Sequence, residues 1–156
     1  MEQGGEMIRE LNIQDNEMVQ DILDIQIPAY QMEAALIEYW EIPPLKDTLE
    51  KIKASGESFY GYFEGEKLLG VISYMVDGDV MDICRLVVHV DCFRKGIAKK
   101  LLMYVETNMT GIKKMKVSTG SKNTPAMKLY KSQGFEKCQV VEVDEGLQIT
   151  EFRKTL

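Results

Sequence analysis

The sequence predicts an α+β domain around a central mixed sheet, and three observations carry that reading. Strand-like segments dominate the second half of the chain; three of them run in series with short Gly-containing turns between them; and one segment with sustained helical spacing, Ile97 to Met109, separates that series from the strands that follow.

Met7-Ile8-Arg9-Glu10-Leu11 alternates as a short first strand. Asp15 or Asn16 then caps a helix whose apolar side is Met18, Val19, Ile22 and Leu23, and Pro28 is expected to interrupt it. Ala29 to Pro44, aromatic and irregular, reads as a helical or looped insertion closed by Pro43-Pro44. Asp47-Thr48-Leu49-Glu50 has the capping-box spacing, which predicts a helix from about Thr48 to Ala54 that stops at Ser55-Gly56. Phe59 to Phe63 and Leu68 to Met75 form a hairpin about Glu64-Gly65-Glu66-Lys67, and Asp77-Gly78-Asp79 turns the chain into a longer strand, Val80 to Val90. Ile97, Ala98, Leu101, Leu102, Val105 and Met109 then recur at helical spacing, with Gly111 as the stop. Lys114 to Thr119 is a strand; Thr124 caps a short helix with Pro125 at its first position and Gly134 at its end. Val140 to Val143 and Leu147 to Phe152 supply two closing strands around Glu145-Gly146.

These elements fit one domain spanning residues 1–156, with 45% hydrophobic residues to build its core and residues 1–6 as a flexible N-terminus. No run reaches membrane-spanning length, and the N-terminus lacks the basic start and apolar stretch of a signal peptide, so a cytoplasmic protein without a membrane partner is expected. Cys84, Cys92 and Cys138 are widely spaced and form no CxxC pattern, which predicts reduced, mostly buried thiols and no metal site. A net charge of −6, from 25 acidic and 19 basic residues, argues against nucleic acid as a partner and suits a cationic small substrate.

Against that acidic background, Arg94, Lys95, Lys99 and Lys100 crowd the start of the Ile97 helix. The free N–H groups of a first helical turn already carry partial positive charge, so cations there make sense if an anion joins them. Gly96 and Ala98 lack bulk, which lets a phosphate approach the backbone donors, and the Val80 to Val90 strand leads the chain into this turn. The alternative is a helix start with small residues for packing and lysines on a solvated face.

These residues resemble the GCN5-related N-acetyltransferases. The main motif of that family, a strand followed by Gln/Arg-x-x-Gly-x-Gly/Ala and a helix, lines up with Phe93-Arg94-Lys95-Gly96-Ile97-Ala98, continued by Lys99. Phe93 departs from the usual Gln/Arg, and Val90 stands where proline is common. A second motif, Asn-x-x-Ala-x-x-Leu-Tyr-x-x-x-Gly-Phe, is present from Asn123 through Ala126 and Tyr130 to Phe135. The resemblance extends from about Met7 to Phe152, the N-terminal third matching in layout only. It implies a mostly antiparallel sheet of about seven strands, flanked by about four helices and splayed between the fourth and fifth strands. It also implies acetyl-CoA as co-substrate with no metal, held by backbone groups of Leu86, Val87 and Val88, by the Phe93 to Lys99 cradle, and by Asn123, Ala126 and Tyr130. By the same resemblance a homodimer through the terminal strands is one expected assembly; the sequence itself leaves it open.

Acetyl transfer from a thioester to an amine needs a neutral amine, a donor for the developing oxyanion and an acid for the leaving thiolate. Tyr130 matches the family's tyrosine acid; it reads otherwise as a core tyrosine on the Ala126, Leu129, Tyr130 helix face. Asp82 is the candidate base. It shares strand parity with the apolar Val80, Cys84, Leu86 and Val88, which predicts a partly buried carboxyl with raised pKa, or else it is a solvated residue beside the Asp77-Gly78-Asp79 turn. His89 ends the strand and reads as structural, and neither Cys84 nor Cys92 has a neighbouring base to activate it. Tyr30, Glu33 and Trp40, with Tyr39, Glu38 and Glu41, are candidates for the acceptor site. The expected activity is N-acetylation of a primary amine on a small molecule, peptide or protein. The alternative is a non-catalytic acyl-CoA-binding sensor or interaction module.

Overall fold

The computed structural model describes Met7–Leu156; the expected flexible N-terminus, residues 1–6, lies outside the described residues. Seven strands form one sheet in the order β1-β2-β3-β4-β5-β7-β6: β1 (Ile8–Glu10), β2 (Ser58–Glu64), β3 (Lys67–Asp77), β4 (Val80–Val88), β5 (Lys114–Gly120), β6 (Glu136–Asp144) and β7 (Leu147–Thr155). All pairings are antiparallel except β4 with β5. Among the described residues four α-helices cover the faces: α1 (Asn16–Ile37), α2 (Leu49–Lys53), α3 (Ile97–Asn108) and α4 (Thr124–Ser132).

Two apolar layers sandwich the sheet. On one face Val19, Ile22 and Ile25 of α1 and Ile52 of α2 pack on Phe59, Val71 and Val87; on the other Leu101, Leu102 and Val105 of α3 pack on Ile72, Met81, Met115 and Phe152. Gly70 of β3 sets the height of α3 above the sheet. A Cβ there would lie 2.7 Å from Ile97 Cγ2 and 3.2 Å from Leu101 Cδ1, so only glycine lets the first turn of α3 sit so close.

Several local expectations are corrected. α1 runs through Pro28 to Ile37, because Val19, Ile22, Ile25, Tyr30, Ala34 and Ile37 bury one continuous stripe, and that packing outweighs the one hydrogen bond proline forfeits. Glu38 then ends the helix in a left-handed conformation (φ 59°), its N–H bonding back to Ala34 and Ala35. Thr48 rather than Asp47 caps α2, accepting from the Lys51 N–H, since Asp47 is drawn into a buried ion cluster. Asn123 rather than Thr124 caps α4, accepting from Ala126 N–H. β4 stops at Val88, and a 3-10 turn over Val90–Cys92 leads toward α3. Of the three cysteines only Cys92 is buried; Cys84 and Cys138 are exposed.

The feature that positions the site is a bulge. Ser73 pairs with Arg85 but Tyr74 pairs with Ile83, leaving Cys84 as an extra residue on β4. At the same level β4 leaves β5: their pairing runs from Val80 and Lys114 to Ile83 and Val117 and ends there, while β4 continues to Val88 and β5 to Gly120. A bulge bends and twists its strand, which is the physical cause of a splay at this point.

Candidate active site

The splay opens a cleft of about 140 Å³, with Ile83 to Leu86 of β4 and Val117 to Thr119 of β5 at its base. Tyr30 and Glu33 of α1, Ala98 of α3, and Asn123, Ala126 and Tyr130 of the α4 region complete its lining. Residues of both sequence motifs thus meet in one place. A larger hollow of about 200 Å³, between Ile37, Lys122, Glu142 and Gly146, contains no residue of either motif.

At the α3 start, Arg94 (φ 68°) and Gly96 (φ 78°) are both left-handed. Gly96 is the N-cap and offers no side-chain hydrogen bond to the first turn, which also contains no acidic residue. Ile97 is buried and anchors the turn, whereas Phe93, Arg94, Lys95, Lys99 and Lys100 are exposed around it. A Cβ on Gly96 would meet nothing within 4 Å, so glycine is required by the backbone angle and the space before the helix end is open. Exposed helix N–H groups, a left-handed turn and four cations fit a pyrophosphate. On β4 beyond the splay, the backbone from Cys84 to Val88 has no β5 partner, which leaves an edge for a pantetheine amide chain. Leu86 and Val88 pack toward α3, while Val87 lies in the opposite layer.

Tyr130 is 6% exposed and packs its ring 5.8 Å from Phe135 and 5.7 Å from Phe152. It is therefore a core tyrosine and a cleft residue together, the ring fixed by packing and the side chain reaching the lining. Burial, and then the negative charge of Glu33, push its pKa well above the usual phenol value, so it holds its proton at neutral pH. Glu33 is itself raised by burial, a hydrogen bond from Asn123 opposing the shift. Asn123 Nδ2 lies 3.2 Å from Glu33 Oε1 and 3.2 Å from Thr119 Oγ1, while its Oδ1 accepts from Ala126 N–H at 3.2 Å. All the polar atoms of the Asn123 side chain are thus engaged in joining α1, β5 and α4.

Asp82 is placed differently from the other candidates. Met81 and Ile83 pack toward α3, so Asp82 between them faces the α1 layer, and the bulge at Cys84 swaps the alternation so that Leu86 and Val88 point the other way. The shared face expected from strand parity is corrected for that reason. Asp82 is absent from the cleft lining, although burial does raise its pKa, with Lys116 opposing. Trp40 is 57% exposed and also outside the cleft; Tyr39 hydrogen-bonds to Asp144. His89 Nδ1 accepts from Asp91 N–H and caps the 3-10 turn. Partial desolvation, together with the charges of Glu57 and Asp82, pushes the Cys84 thiol up to about 11 and keeps it a weak nucleophile.

One cluster escaped the sequence reading. Arg85, lining the cleft, bonds Glu57 Oε1 at 2.8 Å and Asp47 Oδ2 at 2.5 Å, and reaches Gln26 Oε1 at 3.0 Å. Burial disfavours the guanidinium charge, but these carboxylates outweigh it and raise the Arg85 pKa. The available signals were Arg85 itself, a charge in the apolar run from Ile83 to Val88, and Gln26 in the apolar stripe of α1.

Residues 27–156 match the acetyltransferase (GNAT) domain family. The chain belongs to that family. Among curated proteins, UPF0157 protein YqkA of Bacillus subtilis (strain 168) is 42% identical over 146 residues, covering 94% of this chain and 43% of YqkA. The uncharacterized N-acetyltransferase YsnE of the same strain is 31% identical over 96 residues, covering 58% of this chain and 64% of YsnE. The chain thus spans under half of one relative and under two thirds of the other. Among solved structures, PaiA N-acetyltransferase from Thermoplasma acidophilum in complex with coenzyme A superimposes with a TM-score of 0.73 at 19% identity, over 96% of this chain and 98% of that one. The ribosomal-protein-S18-alanine N-acetyltransferase from Escherichia coli gives 0.73 at 15% identity, over 95% and 92%. Both share the GNAT fold, with its sheet parted between β4 and β5 in this chain. No helix among the described residues is long and apolar enough to cross a membrane.

Proposed function

We propose that this GNAT domain transfers the acetyl group of acetyl-CoA directly to a primary amine of a small molecule, peptide or protein. One observation carries the reading: the β4–β5 splay joins a cationic, uncapped helix start at α3 to a cleft containing a protonated tyrosine and a carboxylate. The Arg94 to Lys99 turn would hold the pyrophosphate, and the free backbone edge from Leu86 to Val88 would align the pantetheine chain. The bound thioester supplies the activated acetyl group. Tyr130 would then donate the proton to the departing sulfur, and its ring is held by packing against Phe135 and Phe152.

The acceptor side favours a cation. Glu33 is the carboxylate in the cleft lining, and Arg85, the cation in that lining, is already committed to Glu57 and Asp47 behind it. An ammonium-bearing acceptor would therefore be drawn in as its amine form is generated. We further read residues 1–156 as one acetyltransferase domain acting in the cytoplasm without metal, membrane or nucleic-acid partners, with a homodimer as its assembly.

Calorimetric titration with acetyl-CoA and coenzyme A, followed by a panel of amines assayed by thiol release, tests the proposal. Binding at micromolar ligand and release of thiol dependent on an amine are expected. Absence of binding at high micromolar ligand refutes the cofactor; binding without turnover on any amine means a sensor of acyl-CoA instead.

A further inference from the structure

Glu33 is the one carboxylate in the cleft lining without a cation beside it. Arg85 lies in the same lining, but its guanidinium is held by Glu57, Asp47 and Gln26. Glu33 receives a single hydrogen bond, from Asn123 to Oε1. Its Oε2 makes none among the described residues, and no side-chain oxygen there is both fully enclosed and unpartnered, so Oε2 is accessible to solvent on a side chain that lines the cleft. A carboxylate oxygen left open to a reaction cleft, with its other oxygen tethered, has the arrangement of a proton acceptor.

We infer that Glu33, projecting from α1, is the general base that takes the proton from the attacking amine, opposite Tyr130 on α4. The inference rests on the acetyl-transfer reading above and assigns a role within it. The amine nitrogen attacks the thioester carbonyl carbon and the C–N bond forms. One N–H proton passes to Glu33 Oε2. The C–S bond breaks, and the sulfur takes the phenolic proton of Tyr130. The proton on Glu33 then restores the phenol through cleft water, leaving both groups as they began.

The two groups are also coupled. The negative charge of Glu33 is one of the causes that hold the Tyr130 proton in place, after burial itself. When Glu33 takes the amine proton that charge vanishes, and Tyr130 becomes the stronger acid at the moment the sulfur departs. Asn123 is the positioning residue: one side chain caps α4 and holds Glu33, so acid and base move as a unit. The titratable and polar groups that share the cleft lining with Glu33 include Tyr30 on α1, Arg85 and Cys84 on β4, Thr119 on β5, and Asn123 and Tyr130 around α4. Of these only Arg85 is charged at neutral pH, and it is neutralised by its own partners. A raised carboxyl pKa follows from burial in such surroundings and brings Glu33 closer to working pH.

The test measures kcat across pH for the wild type, Glu33→Gln, Glu33→Asp and Asp82→Asn, with coenzyme A affinity measured for each. For Glu33→Gln we expect unchanged coenzyme A affinity, a fall in kcat of about 10²-fold or more, and loss of the decline toward acid pH. Glu33→Asp should restore part of the rate and keep an acidic limb. A kcat for Glu33→Gln within threefold of wild type, or an acidic limb that survives in it and disappears in Asp82→Asn, overturns the inference while leaving acetyl transfer intact. A wild type that acetylates no amine refutes the acetyl-transfer reading, and this inference with it.

Discussion

Replacing Arg85 by methionine probes the connection between the cleft and the α1 layer. The side chains of Arg85, Asp47 and Glu57 are 10%, 13% and 12% exposed, so the cluster is largely shielded from water. Arg85→Met leaves two carboxylates without their cation. Ser73 Oγ still donates to Glu57 at 2.6 Å and Gln26 Nε2 to Asp47 at 2.6 Å, but neither carries charge. Breaking a buried pair by removing one partner costs about 3–5 kcal/mol. For a domain of this size each kcal/mol is worth about 2–4 °C, so Tm should drop by roughly 6–20 °C. Urea unfolding at neutral pH measures the loss directly, provided the slope with denaturant is unchanged. The triple variant Arg85→Met, Asp47→Asn, Glu57→Gln removes all three charges and should recover most of the stability, because the penalty comes from uncompensated charge rather than from lost contacts. A single-variant loss below about 1 kcal/mol, or a triple variant no more stable than the single, refutes this account of the cluster.

Tyr130→Phe keeps the ring packing against Phe135 and Phe152 and should lower kcat by about 10²-fold or more while coenzyme A affinity changes little; equal turnover removes Tyr130 from the mechanism. Gly96→Ala meets no steric obstacle but must hold φ near 78°, a cost of about 1–2 kcal/mol read as a drop in urea midpoint, together with weaker coenzyme A binding in calorimetry. Glu33→Gln should stabilise the fold at neutral pH. Its native carboxyl binds its proton more tightly than the unfolded chain does, so the wild type loses stability as pH rises from the unfolded pKa through the native one. The Gln variant lacks that decline, and parallel urea titrations at pH 4 and pH 7.5 should show its advantage only at the higher pH.

Much of the fold was legible because it is written in local patterns. The β2–β3–β4 meander follows from strand alternation and Gly turns, and α3 from helical spacing ended by Gly111. Errors arose where a distant partner decided a local choice. Pro28 reads as a break, yet the apolar stripe of α1 runs through it onto the sheet. Asp47 has the spacing of a cap, yet Arg85, 38 residues away, claims its carboxylate.

By itself the sequence marked the helix start as a candidate phosphate site, since Gly96 and the surrounding cations are neighbours in the chain and their chemistry needs no other element. It also determined Tyr130 as a candidate acid through the spacing of its motif. Only the tertiary structure decided which carboxylate meets that tyrosine. A single extra residue on β4, Cys84, reverses the alternation of the strand and parts it from β5. Asp82, before the bulge, faces the α1 layer but is absent from the cleft lining, and Glu33 comes into that lining from a helix 97 positions before Tyr130. Bulges depend on how two strands pair, and pairing is a property of the folded sheet that no run of residues along one strand contains.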